Sequence, residues 1–177
     1  MDNSAQFNFD KLLIKSAGPI PLGRFNVLDQ EGRQLFYAKS SWVTFKTLIY
    51  SDKKSCLPIL IVKPSQALRF FKPPKIFFIT DSNKQCISKV VREGVFYLRR
   101  KILDGYDQPM GLVEEGSDNF KIFINEKQIG MIDFKRQFFS ESYALDLVQD
   151  SEKKLDRRIA LGLAFCLISS IGVAWGA

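Results

Sequence analysis

The chain ends "DRRIALGLAFCLISSIGVAWGA", residues 156–177, and from Ile159 to Ala177 there are 19 residues without a charge. A helix that is apolar on every side has to be surrounded, by lipid or by protein. Nineteen residues rising 1.5 Å each span roughly 28 Å, close to the about 30 Å hydrocarbon core of a bilayer. The flank Lys153, Lys154, Arg157 and Arg158 would hold the N-terminal side of such a span in the cytoplasm. Gly172 and Gly176 have the GxxxG spacing of paired membrane helices. One reading is therefore a C-terminal tail anchor. In the other, the helix is the core of the protein's own fold. What precedes it decides between them.

From about residue 22 to 149 the sequence reads as β-structure. An apolar strand, an acidic or amide turn and a second strand recur in "RFNVLDQEGRQLFYAK" (24–39), "IFFITDSNKQCISKVV" (76–91), "RKILDGYDQPMGLVEE" (100–115) and "FKIFINEKQIGMIDF" (120–134). The turns fall at Asp29, Asp81, Asp104 and Asn125, residue types whose side chains bond nearby backbone or that tolerate positive φ. Phe120, Ile122 and Ile124 alternate with polar neighbours, as do Tyr143, Leu145 and Leu147, which gives each strand one buried and one wet face. Further strands are expected at Trp42–Tyr50, Leu57–Val62, Ala67–Phe71 and Phe96–Leu103. The total is about ten to twelve strands. Residues 1–21 are set apart as a leader with a docking apolar run, Leu12–Ile14; it lacks the apolar core of a secretory signal. Residues 22–177 then form a single domain. Its helix is expected over about 152–171, with Ser151 as N-cap.

A barrel of eight strands is filled by its own side chains, and a wider one is hollow. About twelve strands therefore need a plug. A helix mixing small residues (Ala160, Gly162, Ala164) with large ones (Leu161, Leu163, Phe165, Leu167) supplies it. The hairpin repeat, the strand "IGMIDF" (129–134) and the closing "DRRIALGLAFCLISS" (156–170) resemble the tubby C-terminal-like superfamily. That group includes tubby proteins, phospholipid scramblases and LURP-one-related proteins. The resemblance covers about residues 22–170 and implies a mainly β fold, an antiparallel barrel of about twelve strands enclosing a hydrophobic C-terminal α-helix. The barrel-core reading is preferred over the anchor.

Chemistry is sparse. The chain has no histidine, which removes the commonest general base and metal ligand. Cys56, Cys86 and Cys166 form no close pair and suggest reduced thiols, a cytoplasmic setting. No nucleophile elbow, phosphate-binding loop or dinucleotide-binding glycine pattern occurs. Glu114 and Glu115 are adjacent, so on a strand they face opposite ways. No enzyme activity, cofactor or metal is expected. The segment matching the scramblases' proposed calcium site offers only Glu141, Asp146 and Asp150, too few for six to eight oxygens.

The charge is the remaining handle. The net charge is +7. "LRFFKPPK" (68–75) sets Arg69, Lys72 and Lys75 among phenylalanines, and "YLRRK" (97–101) sets Arg99, Arg100 and Lys101 in a row. Cations beside aromatics suit a membrane surface, where Lys and Arg meet phosphates. They equally suit a solvated barrel wall whose phenylalanines are core. No nucleic-acid motif is visible, so nucleic acid is an unlikely partner. The expected function is a non-enzymatic module associating peripherally with anionic phospholipid. The alternatives are a tail-anchored, scramblase-like protein and a scaffold for an unidentified protein partner.

Overall fold

The computed structural model describes residues 4–17, 23–41, 44–65, 74–93, 99–137 and 140–174. They form twelve strands: β1 (Lys11–Ser16), β2 (Arg24–Leu28), β3 (Gln34–Ser40), β4 (Thr47–Tyr50), β5 (Leu60–Pro64), β6 (Ile76–Asp81), β7 (Cys86–Glu93), β8 (Arg99–Asp104), β9 (Pro109–Glu115), β10 (Asn119–Ile124), β11 (Lys127–Gln137) and β12 (Ser140–Asp146). Each strand pairs antiparallel with its neighbours in sequence, and β1 pairs with β12 to close a barrel. One helix, α1 (Arg157–Ala174), follows.

Local chemistry sets the hairpins. Asp29, Asp81 and Asp104 close three turns of one design. Each carboxylate accepts the backbone N–H four residues ahead, from Arg33, Gln85 and Gln108, at 2.8–2.9 Å. In each turn the residue three places after the aspartate is left-handed: Gly32 at φ +80°, Lys84 at +64° and Asp107 at +68°. The paired register slips beside each turn, the mark of a bulge that absorbs the extra residue. The β10–β11 turn is shorter, with Asn125 and Glu126 both left-handed.

The expected alternation is realised. Phe120, Ile122, Tyr143 and Leu145 are at most 3% exposed and face inward. The helix meets them: Ala160, Leu161, Leu163, Ala164, Phe165 and Leu167 have no exposed surface. Phe165 packs edge-on against Phe25 with ring centroids 5.7 Å apart. A Cβ on Gly162 would lie 2.7 Å from Ile79 Cγ2, so the helix approaches β6 closely there. Among the described residues no helix is long and apolar enough to cross a membrane. The apolar surface of α1 is instead covered by the barrel, so the tail-anchor alternative is not supported.

Two boundaries move. The stretch set apart as a leader, 1–21, contains β1, which pairs with both β12 and β2; without it the sheet could not close. Ahead of it Phe7 stacks on Phe36 at 5.1 Å, and Phe9 meets the same ring edge-on. The helix begins at Arg157, not near 152. Lys153 is left-handed, at φ +50°, which no helix accommodates. The Asp150 carboxylate captures the N–H groups of Lys154 and Leu155. Asp156 rather than Ser151 is the cap, accepting the Arg158 N–H at 2.8 Å. The strand expected at Ala67–Phe71 lies outside the described residues.

The barrel has two unlike ends. At one, the turn end, lie the aspartate turns, the β10–β11 turn and the start of α1. At the other, the rim, the chain passes from β1 to β2, β3 to β4, β5 to β6, β7 to β8, β9 to β10 and β11 to β12.

Candidate anion-binding rim

Antiparallel order brings every second strand terminus to the rim. For β1 to β6 each of those termini carries a cation. Lys15 and Lys39 are next to last in β1 and β3, and Lys63 in β5; Arg24 opens β2, and Lys46 and Lys75 immediately precede β4 and β6. All six are exposed. Arg24 and Lys39 stand directly opposite each other in the β2–β3 register, although like charges so placed destabilise a sheet. Among the described residues none of the six forms an ion pair. The acids of β1 to β6 and their turns, Asp29, Glu31, Asp52 and Asp81, all lie at the turn end, about a strand length away.

The opposite arc of the rim is neutralised. Arg99 binds Glu114 at 2.7 Å, Arg100 faces Glu115 at 3.1 Å and Lys101 binds Glu93 at 2.6 Å. Alternation splits this trio. Arg99 and Lys101 point outward, while Arg100 turns into the barrel, 9% exposed, with its guanidinium 5.3 Å from the Phe120 ring centroid. Burial pulls the Arg100 pKa below its usual value, and the Glu115 carboxylate partly offsets this.

Of the six cations singled out from sequence, Lys75 therefore belongs to the carboxylate-free arc and Arg99, Arg100 and Lys101 to the paired arc. Arg69 and Lys72 lie outside the described residues. Lys15, Arg24, Lys39, Lys46 and Lys63 were missed. Each is an isolated cation in the sequence, and the signal that could have found them was their distance from the strand termini.

One hollow opens in the charged arc, at the β3–β4 connection. It holds about 190 Å³ and is lined by Lys39, Ser40, Ser41, Thr44, Lys46 and Leu48. The Lys39 ammonium lies 5.3 Å from the Tyr50 ring centroid and 5.9 Å from that of Tyr37. A second hollow of about 300 Å³, on the outer wall, has Glu114 and Glu126 at its edge and is mostly apolar.

The remaining functional groups are occupied or dispersed. Asp146 pairs with Lys11 and Asp150 with Arg157, and Glu141 accepts the Tyr143 hydroxyl. Among the described residues no three His, Cys, Asp or Glu side chains converge as a metal site. Cys56 is exposed, Cys86 half-buried and Cys166 buried, and all are free thiols. Burial pushes the Cys166 thiol far above its usual range.

No family model and no curated protein sequence matches the chain. The crystal structure of a protein from Arabidopsis thaliana is similar over 89% of this chain and 90% of that one, with a TM-score of 0.56 and 12% identity. At that identity the likeness is one of fold. It agrees with the helix-threaded barrel that the tubby-like resemblance implies.

Proposed function

We propose that this chain is a non-enzymatic binding module of the tubby-like and LURP-one-related type, which associates with anionic phospholipid from the cytoplasmic side of a membrane. The observation that carries this reading is the run of six consecutive rim termini bearing exposed cations without a carboxylate among them. A protein surface with no anionic partner for its cations repels itself, and the tolerated Arg24–Lys39 juxtaposition is a local cost. An external polyanion removes that repulsion. Each Lys or Arg held near a negatively charged membrane contributes about 1 kcal/mol, and the interaction fades beyond the Debye length of about 8 Å at physiological salt. The six termini follow an arc of the barrel mouth, so a flat surface can engage several at once. The paired cations of β8 contribute less, because Glu93, Glu114 and Glu115 already hold them.

Sedimentation with phosphatidylserine vesicles tests the reading. The protein should bind them, release with added salt, and ignore neutral vesicles. Replacing Lys15, Arg24 and Lys63 by Ala should abolish binding, whereas replacing Arg99 and Lys101 should weaken it little. Equal binding to neutral vesicles, or no effect of the rim triple variant, would sink it.

A further inference from the structure

The β10–β11 turn breaks its own local rule at Glu126. A two-residue turn whose central residues are both left-handed favours Asn-Gly, because glycine has no Cβ to clash there. Asn125 and Glu126 fill it at φ +49° and +63°. The glutamate is therefore kept at some cost in stability. Two other side chains on left-handed backbone have partners: Asp107 binds Lys89 at 2.7 Å and Lys153 donates to Asn8. Glu126 is exposed and forms no ion pair or hydrogen bond among the described residues. Lys84 also has none, but it lines neither of the hollows described above.

Glu126 edges the outer-wall hollow of about 300 Å³, with Glu114 and Asn125, over a floor of Gly111, Leu112 and Phe123. Gly111 keeps that floor open. A Cβ there would lie 2.4 Å from the Phe123 carbonyl oxygen, so β9 and β10 approach closely at a position that carries no side chain. The floor continues sideways. Ile76, Val91, Lys101, Leu112, Phe123 and Gln128 stand side by side across β6 to β11. All but Lys101 are half-buried, and Lys101 is held by Glu93 at 2.6 Å.

We propose that this hollow receives a lysine or arginine side chain of a partner protein. Such a side chain lays its aliphatic stem on apolar surface and keeps its charge at the tip. Leu112 and Phe123 meet the stem, and the unengaged Glu126 carboxylate meets the charge. Glu114, already bound to Arg99 at 2.7 Å, adds to the negative field. An apolar hollow edged by carboxylates, on a chain of net charge +7, selects a cation by charge complementarity. Its volume is at the lower limit of the roughly 300–1,000 Å³ of pockets that enclose whole small molecules, and the half-buried row beside it offers a polypeptide further contact. The hollow lies in the turn-end half of the wall, where β10 runs into Asn125. It stays open whatever occupies the rim, so the inference stands apart from the membrane reading.

The test uses the capped tripeptide leucine–lysine–leucine and its analogues with norleucine or glutamate at the centre, read by backbone amide shifts. The lysine peptide should move Leu112, Phe123 and Glu126. Norleucine, which keeps the stem without the charge, should bind about tenfold more weakly, the loss expected for one charge-assisted hydrogen bond. The glutamate peptide should move nothing. Equal response to lysine and norleucine, or no shift at millimolar lysine peptide, overturns the proposal. Glu126→Gln should bring the lysine peptide down to the norleucine level, and unchanged affinity overturns it. Glu126→Gly should abolish the preference and raise the thermal midpoint by about 2 °C. A lowered midpoint shows a glutamate kept for stability, which overturns it as well. Sedimentation velocity of the unaltered protein alone should show no self-association through this face. Self-association that Glu126→Gln removes assigns the hollow to a second copy of the chain and overturns the partner-protein reading.

Discussion

Asp150 and Arg157 form a buried ion pair, 2.6 Å from Oδ2 to Nη1, where the chain leaves the sheet and enters the barrel as a helix. The Arg157 side chain is 5% exposed and that of Asp150 1%. The guanidinium also donates to the Phe9 carbonyl at 2.7 Å, to Asp10 at 2.7 Å and to the Leu155 carbonyl at 3.0 Å. One side chain thus joins the N-terminal segment, the loop after β12 and the base of α1. Removing one partner of a buried pair leaves an uncompensated charge, which costs about 3–5 kcal/mol. Arg157→Leu and Asp150→Ala should each lower stability by that amount in urea unfolding. The double variant should lose less than the sum of the two.

Gly162 sets the fit of helix and wall. A methyl group there would meet Ile79 Cγ2 at 2.7 Å and Cδ1 at 2.9 Å. Gly162→Leu should overpack the core and cost about 1–3 kcal/mol. Ile79→Val introduced with Gly162→Ala should recover part of the loss seen in Gly162→Ala alone, read as the thermal midpoint.

Lys84 occupies in the β6–β7 turn the left-handed position that Gly32 occupies in the β2–β3 turn. A side chain there costs about 1–2 kcal/mol relative to right-handed backbone, and glycine avoids this at some entropic cost. Lys84 forms no ion pair among the described residues. Lys84→Gly should therefore raise stability by about 0.5–1 kcal/mol, whereas Gly32→Val should lower it.

Acid should loosen the helix base. Burial pushes the Asp156 carboxyl up, but the Arg158 side chain and N–H, with Arg157 nearby, outweigh it and hold the net pKa below the ordinary value. Asp146 behaves alike: burial opposes, while the Val148 N–H and Lys11 prevail. A carboxylate whose pKa is lower folded than unfolded stabilises fully above the unfolded value of about 3.9 and loses that contribution as pH falls below it. The unfolding midpoint should be flat from pH 7 to about 5 and fall below about pH 4. In Asp156→Asn that fall should be shallower, and the midpoint at neutral pH lower.

How much was legible in the sequence varies with the range of the interaction concerned. Asp29, Asp81, Asp104 and Asn125 announced their turns because an aspartate or asparagine acts on backbone within four residues of itself. Phe120 to Ile124 announced its inward face because strand periodicity is local. The start of α1 was misread at Ser151, because Asp150 is drawn into a buried cluster with Arg157 and so restrains the intervening residues outside the helix. The N-terminal stretch was read as a leader because six residues of strand, β1, carry no mark of the distant partner, β12, that makes them part of the wall.

The rim shows the same division. Lys15, Arg24, Lys39, Lys46, Lys63 and Lys75 are separate single cations in the chain, and composition yields only the net charge of +7. The sequence by itself determined the strands, most of their turns and an apolar helix that had to be enclosed, since these follow from side-chain period and from polar groups acting on nearby backbone. Only the tertiary structure decided what encloses the helix and which cations stand together. Closure through β1 and β12 fixes the first. Antiparallel order, which returns every second strand terminus to the same end, fixes the second.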